Sequence, residues 1–158
     1  MMDHNDLTLT DYQALAEFRY QLRRFLRFSE EAVREAGLEP QHHQLMLAVK
    51  GKPDMGGPRI VYLAERLQIQ HHSAVELVDR LARKGLITRS RSDADRREVH
   101  VQLTARGEKV LGELALHTRA ELRSAAPALV ATLRKLATST KSRNRTRPKH
   151  GSSRAGKA

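Results

Sequence analysis

Residues 70–85, QHHSAVELVDRLARKG, divide into two unlike faces. Ala74, Leu77, Val78 and Leu81 recur at helical spacing, which places them on one apolar side of a helix that Gly85 ends. Gln70, His71, His72, Val75, Glu76 and Arg80 fall on the opposite side. Past Gly85 the period changes. LITRSR and EVHVQL read as two strands, the second with Val99, Val101 and Leu103 alternating against His100 and Gln102. SDADRR, between them, has the residue types of a tight turn. The rest of the chain has to accommodate a helix with one free face and, directly after it, a hairpin that holds out a loop of mixed charge.

Upstream, Thr10 or Asp11 is placed to cap a first long helix with Leu15, Phe18, Leu22, Phe25, Leu26, Ala32 and Val33 on its apolar side, ending near Gly37. Pro40 suits the first turn of a second helix, with Leu45, Ala48 and Val49 inward and Gly51 as its stop. KPDMGGPR is a loop, RIV is strand-like, and YLAERLQI is a short helix with Leu63, Ala64 and Leu67 inward. Downstream, Thr104 caps a helix anchored by Val110, Leu111, Leu114 and Leu122 and running to about Ser124. Pro127 is expected to break the pattern, after which Leu129, Leu133 and Leu136 line one side of a last amphipathic segment.

This order predicts a mainly α chain with a small β-wing, a single domain over 1–138. Its winged helix-turn-helix core spans about 40–104, between helices at about 11–36 and 105–138. The flanking helices carry more apolar surface than so small a central module needs, and a symmetric second copy is the expected cover. We therefore expect a homodimer.

Charge is unevenly spread. Of the formal +11 over 158 residues, the acid-free stretch 139–158 carries +7, so the remainder is only mildly basic at +4. That stretch cannot form a core, and we expect it to be a disordered basic tail. A basic surplus points to a polyanionic partner, nucleic acid or an anionic membrane surface. There is no cysteine, which removes disulfides, thiolate ligands and thiol nucleophiles. MMDHNDLTLTDYQAL is acidic and polar, unlike a secretory signal, and no stretch approaches the ~20 apolar residues of a membrane span. The expected location is cytoplasmic, with no membrane partner.

LAERL, LVDRLARKGLI, DRR and LTARG, in this order and spacing within residues 63–107, resemble the multiple antibiotic resistance regulator (MarR) family of winged helix-turn-helix transcription factors. GLEPQHHQLMLAV resembles the family's second helix, so the likeness covers roughly 10–138 and leaves the basic tail outside it. The resemblance implies a dimer clasped by its first and last helices, with two winged lobes reading a pseudo-palindromic operator. Two departures stand out. The position that caps the recognition helix, commonly Ser or Thr in the family, is Gln70 here, and the pair His71-His72 is not a family hallmark.

On that resemblance the wing's Asp-x-Arg falls on Asp95 and Arg97. The carboxylate would hold the guanidinium extended toward a minor groove, and Arg96 and Arg89 would meet phosphates. Spacing alone fits equally well a solvated turn whose charges neutralise one another. Gln70, His71, His72, Val75 and Glu76, with Arg80, would enter the major groove. There Gln could read adenine, Glu could accept from cytosine and Val75 could touch a thymine methyl. The family also suggests a small aromatic or anionic effector, with Tyr12, Phe18, Arg19, Tyr20 and Met46 as candidate lining, although core and dimer packing is the commoner fate of such residues.

Metal and catalytic readings fare worse. His42-His43 and His71-His72 are adjacent pairs that diverge by about 100° on a helix and cannot chelate one ion, so they read as polar surface residues. There is no Gly-rich phosphate loop, and Glu76 and Asp79 read better as a recognition residue and a helix-surface ion-pair partner than as an acid–base couple. We expect no enzyme activity, no metal and no cofactor. The expected function is that of a homodimeric, sequence-specific regulator of transcription, a repressor of an operator in double-stranded DNA. The alternative is an architectural, nucleoid-type protein that binds DNA without base preference, which the tail favours.

Overall fold

The computed structural model of the chain describes residues 7–52, 56–91 and 98–139. Along them run α1 (Leu9–Glu35), α2 (Pro40–Lys50), α3 (Ile60–Leu67), α4 (His71–Arg83), β1 (Ile87–Arg91), β2 (Val99–Leu103) and α5 (Ala105–Ser139). The described residues divide into two compact units, one within 24–124 and one of 7–23 with 125–139.

In the larger unit, Val33, Leu38, Leu45, Met46, Val49, Leu63, Leu77, Val78, Leu81, Leu86, Ile87, Val101, Leu111 and Leu114 belong to one buried cluster. Two helices feed this core through the same terminal motif. At the end of α4, Gly85 turns left-handed at φ 69°, its N–H bonds to Ala82 O at 2.9 Å, and Leu86 N–H bonds to Leu81 O at 3.1 Å. The leucines that bracket this Schellman turn are both buried, so one glycine stops the helix and turns the chain inward to start β1. The end of α1 repeats it, with Gly37 N–H on Arg34 O, Leu38 N–H on Val33 O, and both apolar residues buried. Between α3 and α4 the same hydrogen bonds form around Gln68, at φ 56°, without a glycine.

β1 and β2 pair antiparallel, with Ile87 opposite Leu103 and Arg91 opposite Val99. Thr104 then starts α5: its hydroxyl donates to Gly85 O at 2.8 Å and accepts the N–H of Gly107 at 3.0 Å. Gly107 allows this closure, because a Cβ there would lie 2.0 Å from Leu86 O.

In the smaller unit, Thr8 rather than Thr10 or Asp11 opens α1. Its hydroxyl accepts the Asp11 N–H at 3.3 Å, and the Asp11 carboxylate accepts the Thr8 N–H at 2.7 Å, a reciprocal capping box. Ala14 and Thr132 are buried, whereas Leu9, Tyr12, Leu15, Tyr20, Leu22, Val130 and Leu133 are exposed.

Four further expectations change. RIV is not a strand: Ile60 and Val61 already belong to α3, where Ile60 packs into the core, and only Arg59 makes a bridge, to His100. Pro127 does not break the last helix, which runs 35 residues through it. Alanines at 125, 126 and 128 surround the proline, and the best helix formers carry the helix past it. His42 and His43 are not surface residues but 3% and 5% exposed. At the start of α2, His42 Nδ1 accepts the Glu39 N–H at 3.2 Å, while the Nε2 atoms of both rings are buried without a hydrogen-bond partner. Burial depresses the pKa of each, opposed at His42 by Glu39 and reinforced there by Lys84 and Arg80. Finally, His100 is half-buried rather than outward, because its Nδ1 bonds to Gly57 O at 2.7 Å.

Candidate nucleic-acid interface

Helix α4 keeps the two faces that its sequence predicts. Ala74, Val78 and Leu81 are fully buried, with Leu77 nearly so, and this fixes the helix against the core. Gln70, His71, His72, Glu76 and Arg80 are exposed, and Val75 is half-buried at the edge of the face. Gln70 is the N-cap residue, but its side chain makes no capping hydrogen bond. No side chain therefore occupies the N–H groups of the first turn, which are the donors a helix offers to an anion.

The wing rises from the same unit. Only Ile87 of β1 is buried; Thr88, Arg89, Ser90 and Arg91 are exposed. Strand alternation puts Arg89 and Arg91 on one side, the side that Ile87 turns into the core. Just before β2, Glu98 pairs with Arg59 at 2.6 Å, and within the strand Val101 N–H bonds to Pro58 O at 3.0 Å, so the segment before α3 braces the hairpin. Asp95, Arg96 and Arg97 lie outside the described residues, as does the tail from residue 140.

Two acids on α4 are engaged by arginines. Glu76 pairs with Arg80 one turn on, at 3.6 Å, and Asp79 forms an ion pair with Arg89 of β1. Asp79 is thus the ion-pair partner its position suggested, but the partner is on the wing. Sequence reasoning left Arg91 out of the candidate set, although the Arg-Ser-Arg alternation of 89–91 places it beside Arg89. Of the candidate effector residues, Tyr12, Phe18, Arg19 and Tyr20 belong to the smaller unit, where Phe18 is half-buried and the others are exposed. Met46 belongs to the larger unit and is fully buried in its core. Among the described residues, no group of three or more His, Asp or Glu side chains is arranged to hold a metal, and no helix is long and apolar enough to cross a membrane.

Two short helices joined by a three-residue turn, followed by an antiparallel hairpin packed on their core, define a winged helix-turn-helix protein. Comparison with known proteins narrows the class. Residues 36–98, from the end of α1 to the start of the second wing strand, match the model of the MarR family. AbsC, a MarR family transcriptional regulator from Streptomyces coelicolor, is 21% identical with a TM-score of 0.65 over 75% of this chain and 80% of its own. A variant of MepR from S. aureus bound to an oligodeoxyribonucleotide is 18% identical with a TM-score of 0.62, covering 82% and 97%. The transcriptional repressor CouR, bound to a 23-mer DNA duplex, is 27% identical with a TM-score of 0.59, covering 75% and 87%. The first two likenesses establish the shared fold. A sequence search of curated proteins found no match.

Proposed function

We propose that this chain is a homodimeric regulator of transcription that binds a pseudo-palindromic site in double-stranded DNA and acts as a repressor. The observation that carries the reading is α4. One side is locked into the core by four buried residues, and the other presents uncapped N–H groups with Gln70, His71, His72 and Glu76 in its first turns. Such a face can enter a major groove, where amide, imidazole and carboxylate groups discriminate base edges. Arg89 and the wing tip, with Arg96 and Arg97 steadied by Asp95, would supply backbone and minor-groove contacts. That MepR and CouR, similar to this chain in fold, are bound to DNA supports the reading.

Enrichment of random duplexes on the purified protein tests this, and a short palindrome is the expected product. Arg97→Ala should then weaken binding to the enriched site by ~1–3 kcal/mol without altering oligomeric state. Unchanged affinity in gel-shift titrations would remove the wing from the interface. The tail's seven cations favour a second reading, an architectural protein without base preference. Equal affinity for enriched and scrambled duplexes at physiological salt would establish it.

A further inference from the structure

Asp79 stands where a DNA-binding surface has least use for an acid: on the recognition helix, in contact with a wing arginine placed to meet phosphate. Two roles are open to such a pair. It could brace the wing against the helix, or it could neutralise the arginine.

Magnitude decides between them. Asp79 and Arg89 are 41% and 47% exposed, and ion pairs so hydrated contribute little to holding structure together. The joint they span is already fixed by stronger means. Leu81, Leu86 and Ile87 are buried on either side of Gly85, and the Leu86 carbonyl is held by Thr104 N–H at 3.0 Å. The pair adds almost nothing to a hinge that the core has closed, so its consequence is electrostatic.

We infer that Asp79 is an internal counter-ion that subtracts Arg89 from the sequence-independent grip on DNA. A cation that neutralises a phosphate releases one condensed counter-ion, and this release drives non-specific binding. When Arg89 turns to a phosphate it leaves behind a bare carboxylate, which takes up a cation of its own. The Asp79–Arg89 couple therefore enters the salt dependence as nearly zero rather than as one. In a chain of formal charge +11, this trims adhesion to bulk DNA at the face that must search for a site. The inference rests on the DNA-binding reading above.

The test uses a 25-bp duplex of random sequence and fluorescence anisotropy between 50 and 200 mM salt. It compares the full-length wild type with D79N, D79A, R89A and D79N/R89A, each checked for folding by thermal melt. In D79N the slope of log K against log salt should steepen by about one per bound protomer, with affinity at 0.1 M salt roughly five- to tenfold higher, the size of one further released ion. D79A should match it, R89A should bind more weakly than wild type, and D79N/R89A should return to the wild-type slope. A D79N slope equal to or shallower than wild type overturns the inference. Wild-type protein that binds no duplex at all overturns the DNA-binding reading instead.

Discussion

His42 and His43 show what a single side chain can impose on this fold. Both rings are buried at the start of α2, and His42 can accept the Glu39 N–H only through an unprotonated Nδ1. The folded chain therefore resists protonation at both, chiefly because burial penalises the charged ring, and at His42 also because Lys84 and Arg80 lie near. In the unfolded chain the same rings titrate near the ordinary value of 6.5. Below that pH the unfolded state binds more protons than the folded state, so stability declines as pH falls from about 6.5 toward the depressed folded values. Urea midpoints measured between pH 8 and pH 5 should drop on the acid side. In His43→Leu, which removes one of the two titrating rings, the drop should be smaller. An acid limb as steep in that variant as in wild type would assign the proton uptake elsewhere. Nothing in the sequence marked these two histidines as buried, because the type is usually polar surface and their neighbours Gln41 and Gln44 are polar too.

At the scale of elements, agreement and disagreement with the sequence have separable physical causes. Helix α4 was legible because burial and polarity coincide on its two faces, and its stop was legible because only glycine adopts the left-handed turn at no steric cost. The α3–α4 turn uses Gln68 in that conformation, for which the sequence carries no signal. Ile60 and Val61 read as strand because β-branched residues favour pleated backbone, but Ile60 is buried at a helical position, and packing outweighs propensity. The exposed face of α4 could be read directly. The Asp79–Arg89 contact could not, since it joins residues ten apart on different elements. Pro127 is the clearest misreading, and it can be turned into a measurement. Proline inside a helix costs about 3 kcal/mol relative to alanine, through a lost N–H and a clash one turn back. Pro127 lies within continuous α5 and is exposed, so no packing of its ring offsets that cost. Pro127→Ala should raise stability by about 1–3 kcal/mol in urea titrations followed by circular dichroism. A lower midpoint would mean that the proline shapes a contact that the alanine helix loses.

For the whole molecule, the governing fact is that the smaller unit is too poor in buried side chains to stand on its own. Its described hydrophobics include Leu9, at 73% exposure, with Tyr12, Leu15, Tyr20, Leu22, Val130 and Leu133 each at least 40% exposed. Two helical segments with one face in water gain little from burial, and helices in proteins draw most of their stability from a packed face. On the proposed reading, a second copy of the chain would supply such a face at no cost in new sequence, and twofold pairing would let each residue meet its counterpart's neighbours. Light scattering should therefore return twice the 17.9 kDa chain mass. Leu133→Asp combined with Leu15→Asp places charge in the expected seam and should shift the mass to that of one chain, leaving the larger unit, residues 24–124, folded. The consequence for DNA follows from geometry. A dimer engages two half-sites at once, so the monomeric variant should lose binding to a palindrome far more than to a single half-site. Equal losses on the two duplexes, or a wild-type mass of one chain, would leave the apolar residues of α1 and α5 without a role in DNA recognition.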